Sequence, residues 1–148
     1  MSIKRIDHIG VIVDDLAAAK AFFLDFGLEV QGEADMEGEL VDRLLGLRGV
    51  KTSLVMMRPP GGEASIELIK FHSPSDQNDV QLSVTAPGIR HIAFLVEDLD
   101  ALVAKVKATG AEVFSAIQTY GNSYKLCYVR GPEGIILDLA EEVTHVHA

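Results

Sequence analysis

Two stretches of the chain repeat each other. Residues 7–16 read DHIGVIVDDL and residues 90–99 read RHIAFLVEDL, 83 positions further on. The same spacing carries Gly27-Leu28-Glu29-Val30 onto Gly110-Ala111-Glu112-Val113. Two separate matches at one spacing, with a helix-length stretch between them, point to two copies of one module, and a repeat limits the available folds more than local propensity does. The copies are set at about residues 1–75 and 84–142. A linker at about 73–88, rich in the Pro, Ser, Asp, Asn and Gly of a loop, joins them, and a tail at 143–148 follows. The 148 residues suit one domain of common size, so each copy is half a domain.

Each copy opens on an apolar, β-branched run, Ile6–Val13 and Ile89–Val96, which reads as a strand buried on both faces. Asp14 or Asp15 in the first copy and Asp98 in the second then offer N-caps for a helix. Leu99, Leu102, Val103 and Val106 recur at helical spacing, with Gly110 placed for a left-handed C-cap. Leu16, Ala19, Phe23 and Phe26 form the matching stripe, closed by Gly27. Strands are expected near Glu29–Glu33, Lys51–Arg58 and Ala64–Phe71, and near Glu112–Gln118, Tyr124–Arg130 and Ile135–Glu141. Turns at 59–62 and 131–134 precede each last strand. The order is βαβββ twice, an α+β fold of paired modules with curved mixed sheets around a central cavity. Residues 36–48 are extra in the first copy and are expected to form a short helix or a lid.

The formal net charge is −9, and no Lys/Arg cluster interrupts that acidity, which argues against nucleic acid and anionic membrane surfaces as partners. No apolar run approaches the roughly 20 residues that span a bilayer, and the N-terminus lacks a secretory signal pattern. The single cysteine, Cys127, has no partner for an intrachain disulfide. A cytoplasmic location is the expectation.

The chemistry falls at matching places in the two copies. His8 and His91 share one position of the first strand; Glu67 and Asp138 share one position of the last. Alternation puts His8 on a face with Ile6, Gly10 and Ile12, and His91 with Ile89, Ala93 and Leu95; the small Gly10 and Ala93 leave room beside the imidazoles. A lone histidine on such a strand reads as an ordinary core residue. A carboxylate in the middle of an apolar strand is costly to bury unless something compensates it. Two imidazoles and two carboxylates explain one another as ligands of a divalent cation such as Zn, Ni, Co, Mn or Fe.

The pattern DHIGVIVDDL, SIELIKF, RHIAFLVEDL, GPEGIILDL resembles the vicinal oxygen chelate superfamily, which includes glyoxalase I, methylmalonyl-CoA epimerase, extradiol dioxygenases and bleomycin-resistance proteins. The resemblance implies metal ligands at His8, Glu67, His91 and Asp138, a small-molecule substrate that chelates the metal through adjacent oxygens, and a homodimer. Asp138 departs from the usual Glu and is one methylene shorter, which requires a closer strand, an intervening water or a non-ligand. The ligand set is most similar to that of glyoxalase I, implying a lyase or isomerase in which Glu67 or Asp138 moves a proton between neighbouring carbons of a hemithioacetal. The alternatives are a methylmalonyl-CoA epimerase-like enzyme, where Gln usually takes the place of Glu67, and a non-catalytic antibiotic-binding protein.

Other residues read more plainly. Met56 or Arg58 could face the cavity, but Met56, Met57 and Arg58 read first as core packing and surface, and Cys127 as core. Arg43, Arg48, Lys125 and Arg130 are candidates for an anionic substrate tail, and the 120–124 hairpin for a cover over the substrate. His72, on the strand face away from Glu67, and the tail residues His145 and His147 carry no functional reading.

Overall fold

In the computed structural model, which describes residues 5–72 and 89–143, each copy of the repeat folds as a strand, a helix and a run of further strands. The expected linker and the tail histidines lie outside the described residues. The chain divides into two compact units, residues 1–79 and 80–148. Among the described residues no helix is long and apolar enough to cross a membrane.

The first unit contains β1 (His8–Ile12), α1 (Leu16–Phe26), β2 (Glu29–Glu37), α2 (Glu39–Leu45), β3 (Lys51–Arg58) and β4 (Ser65–Phe71). Its sheet runs β1-β4-β3-β2, with β1 parallel to β4 and the other pairs antiparallel. Asp15 caps α1, its Oδ1 accepting from the Ala18 amide at 3.0 Å. Gly27, at φ +121°, sends its own amide back to the Phe23 carbonyl at 3.1 Å and ends the helix. Ala19 and Phe23, one turn apart, are fully buried from α1 and pack over β3 and β4, where Val55, Met57, Ile66 and Leu68 are also buried. Enclosing a side chain of Phe23's size contributes about 1.5–3 kcal/mol relative to leaving it in water.

The second unit contains β5 (His91–Leu95), α3 (Leu99–Ala108), β6 (Glu112–Val113), β7 (Gln118–Tyr120), β8 (Tyr124–Arg130) and β9 (Ile136–Glu142). Its sheet runs β5-β9-β8-β6, with β7 pairing to β8 beyond β6. Asp98 caps α3 by accepting from the Ala101 amide at 3.1 Å. Leu99 and Val106 are buried from the helix, and Val129, Leu137 and Leu139 from the sheet beneath it.

Four features differ from the sequence reading. The opening strands are shorter than expected and are not buried on both faces: His8, Gly10 and Ile12, like His91, Ala93 and Leu95, are exposed, while the alternate residues are half-buried. The helix covers one face of each sheet only. β2 runs on to Glu37, into the extra segment, which also supplies the expected short helix as α2. The strand expected near Glu112–Gln118 is broken in two, Glu112–Val113 and Gln118–Tyr120, with the Phe114 amide still donating to the Tyr128 carbonyl on β8. The end of α3 is capped at Thr109, with Gly110 at φ +90° just beyond it.

Candidate metal centre

In the first unit the parallel register sets Gly10 of β1 against Glu67 of β4, and Ser65 against His8. Glu67 therefore shares a sheet face with His8, and His8 Nε2 stands 3.6 Å from Glu67 Oε2. That gap is too long for a hydrogen bond. The other ring nitrogen, Nδ1, lies 2.9 Å from Asp7 Oδ2. The His8 hydrogen bond, with help from Arg5, holds the Asp7 carboxyl below the usual carboxylate value, so it is ionised and can only accept. Nδ1 then carries the proton, and Nε2 presents its lone pair to the Glu67 side. This is the carboxylate–histidine arrangement that orients imidazoles toward metals.

The second unit repeats the pairing with different neighbours. Ala93 of β5 lies against Asp138 of β9, and His91 Nε2 is 4.0 Å from Asp138 Oδ2. Tyr128 faces Asp138 across β8 and β9, and its ring meets that of His91 edge-on at 5.5 Å between centroids. Burial first, then the charge of Asp138 and a hydrogen bond to it, push the Tyr128 phenol above its ordinary value. The phenol accordingly stays protonated and donates to Asp138. The second Asp138 oxygen, Oδ1, is buried with no hydrogen-bond partner. A buried carboxylate oxygen with nothing to accept is costly unless a cation or donor meets it.

Each half thus offers one imidazole nitrogen and one carboxylate oxygen on the same face, a donor set suited to a borderline divalent ion. Among the described residues no three His, Cys, Asp or Glu side chains are already arranged to hold a metal ion: His8 comes together with Glu67, and His91 with Asp138. Gly10 is not required by crowding, since a Cβ there would meet only Ile69 Cδ1 at 3.7 Å, consistent with alanine at the equivalent Ala93.

Several candidates from the sequence are engaged elsewhere. Lys125 pairs with Asp100 and Glu141, and Arg130 with Glu112 at 3.0 Å while also lying over the Phe114 ring. Arg43 pairs with Glu39 one turn away on α2. Cys127 is buried and its thiol is pushed above its ordinary value by that burial. His72 accompanies Ser53, 2.7 Å from its hydroxyl, away from Glu67. Sequence reasoning missed Tyr128, whose place opposite Asp138 follows from the β8–β9 register alone, and Asp7, whose signal was simply its adjacency to His8.

The chain belongs to the glyoxalase/bleomycin resistance protein/dioxygenase superfamily, whose family model matches residues 5–139. Among solved structures it is similar to a glyoxalase family protein from Bacillus cereus, APC24694, with 37% identity, 97% of each chain covered and a TM-score of 0.92. It is also 31% identical to the Bacillus subtilis protein YwbC over 88% of this chain and 92% of YwbC. The trypanothione-dependent glyoxalase I of Leishmania major shares the fold at 20% identity and a TM-score of 0.62, over 94% of this chain and 87% of that one.

Proposed function

We propose that the protein is a divalent-metal-dependent lyase or isomerase of the glyoxalase I type, with His8, Glu67, His91 and Asp138 as the metal ligands. The observation that carries this reading is the repeated pairing of a histidine Nε2 with a carboxylate across equivalent strands, one of those carboxylates keeping a buried, unpartnered oxygen. Structural histidines and carboxylates would instead be expected to close their hydrogen bonds. The cation, when bound, supplies Lewis acidity that favours negative charge on a substrate oxygen. The small-molecule substrate carries two adjacent oxygens, as a 2-oxoaldehyde hemithioacetal does.

The two carboxylates then take different roles. Asp138 is held by the Tyr128 phenol and serves as a fixed ligand. Glu67 faces Met56, which gives it no strong donor, so its carboxylate is free to accept the proton from the substrate carbon and return it to the neighbouring carbon. Its side chain is only 19% exposed, which limits loss of that proton to water. Asp7 keeps the His8 ring in the tautomer that leaves Nε2 free.

We also infer a homodimer acting in the cytoplasm. Ile12 and Leu95, exposed by 53% and 63% on the same faces as the histidines, support further packing there. The test is metal analysis of the purified protein, followed by assay of methylglyoxal–glutathione hemithioacetal and of methylmalonyl-CoA with added Ni, Co, Zn or Mn. Thioester formation from the hemithioacetal supports this reading, and turnover of methylmalonyl-CoA alone would replace it with the epimerase-like one. Absence of any bound or titratable divalent ion would leave a small-molecule binding protein.

A further inference from the structure

The face that carries His8 and Glu67 continues across the sheet to a cation that the proposed metal chemistry does not use. Arg58 lies at the end of β3, one step beyond the Met57–Ile66 pair, and therefore opposite Ser65. It is two residues from Met56, the partner of Glu67, so alternation puts Arg58, Met56, Glu67, Ser65 and His8 on one face. The register of β2 slips between Val30 and Gly32, which leaves Gln31 out of the ladder.

Alternation from Glu29, the register partner of Arg58, carries Gln31 onto the same face, and the bulge leaves it without a partner in the ladder. The amide oxygen accepts from Arg58 Nε and Nη1, both at 3.0 Å, and the amide nitrogen donates to Ser65 Oγ at 2.6 Å. The opposite amide orientation would set donor against donor at a guanidinium, which has nothing to accept with. A chain of hydrogen bonds thus crosses β2, β3 and β4 and fixes the guanidinium plane without neutralising it. Glu29 is the register partner of Arg58 on β2, yet among the described residues no ion pair joins them. Lys20, Lys125 and Arg130, by contrast, each pair with a carboxylate.

We propose that Arg58, positioned by Gln31, binds an oxyanionic group of the substrate, a carboxylate or a phosphonate-class group, while the substrate's other end chelates the metal. Gln31 occupies Nε and Nη1, leaving Nη2 and the remaining hydrogens of the outer fork, the geometry that takes two oxygens of one anion at once. The Cα atoms of Arg58 and Glu67 are separated by two residues along the strand and one strand across, about 8 Å. The anionic group therefore sits a few bonds from the chelating oxygens, which selects a compact diacid-like substrate over one with a distant charge. This rests on the metal reading of the His8 and Glu67 pair, and the experiment separates the two.

Cobalt-loaded protein is titrated with 2-oxoglutarate and with 2-oxobutyrate, which has the same chelating end but no distal carboxylate. The wild type is expected to bind 2-oxoglutarate at least about tenfold more tightly. Arg58→Ala brings the two to equal affinity while cobalt affinity and 2-oxobutyrate binding stay unchanged. Gln31→Leu keeps part of the preference, and Arg58→Lys loses the share that needs a planar fork. Comparing 2-oxoglutarate with 2-oxo-4-phosphonobutyrate tells which oxyanion is taken: the one with the greater wild-type advantage that Arg58→Ala abolishes. Equal wild-type affinities, or a preference that survives in Arg58→Ala, would overturn the proposal. If cobalt does not bind, the metal reading falls, and Arg58 is judged on the metal-free protein: its Nε–H resonance shifts on adding 2-oxoglutarate if the proposal holds and stays in place if it does not.

Discussion

Asp138 lies directly opposite Tyr128 across β8 and β9, at the position where the first unit sets Glu67 opposite Met56. The two halves are alike in backbone register and unlike in chemistry. A protonated phenol beside one carboxylate and a thioether beside the other give a pair of equivalent acids different surroundings.

Tyr128→Phe removes the donor to Asp138 and keeps the ring that packs on His91. Cobalt affinity is expected to fall roughly tenfold, the lower end of what losing an outer hydrogen bond to a ligand costs, with the fold intact. Metal titration followed by d–d absorption checks this; unchanged affinity would mean that Asp138 needs no such support.

Asp7→Asn acts on the other half. The amide no longer dictates which ring nitrogen of His8 carries the proton, so Nε2, on the Glu67 side, is deprotonated less of the time. A loss of about tenfold to a hundredfold in metal affinity is expected. Nitrogen chemical shifts of the His8 ring, read in the metal-free variant, report the tautomer directly.

Phe23→Ala tests how the first unit is held. Phe23 is completely buried and meets both Phe22 and Phe26. Its truncation is expected to lower stability by about 3–5 kcal/mol. Urea unfolding measures the loss, and a value under about 1 kcal/mol would show that this core closes over the gap.

Cys127 is predicted to be inert in the folded protein. Its thiol is 2% exposed and burial raises its pKa, so little thiolate forms at neutral pH. Iodoacetamide should modify it slowly in the native state and readily in denaturant, and rapid native labelling would contradict its placement.

Much of this architecture is legible in the amino-acid order. The 83-residue spacing carries the two-unit order and the equivalence of His8 with His91, because a strand that must present one face to a helix and another to a site keeps its pattern in both copies. Asp15 and Asp98 read as caps because a helix start needs an acceptor for its orphan amides. The neighbours of the candidate ligands are not legible in the same way. Tyr128, Met56 and Arg58 take their places from cross-strand register, which joins residues far apart in sequence. Arg58 reads first as surface because its link to Gln31 depends on the pairing of β2 with β3, which the local pattern does not announce. The opening strands read as doubly buried because Ile12 and Leu95 are apolar, although each unit leaves that face open.

We propose that the two histidines serve one metal. The most direct test is the cobalt stoichiometry of the wild type beside His8→Ala and His91→Ala, measured on folded protein by equilibrium dialysis. About one tightly held ion per chain is expected in the wild type, and its loss in each variant, with circular dichroism unchanged. Full stoichiometry retained in both variants, or no bound ion in the wild type, would contradict it.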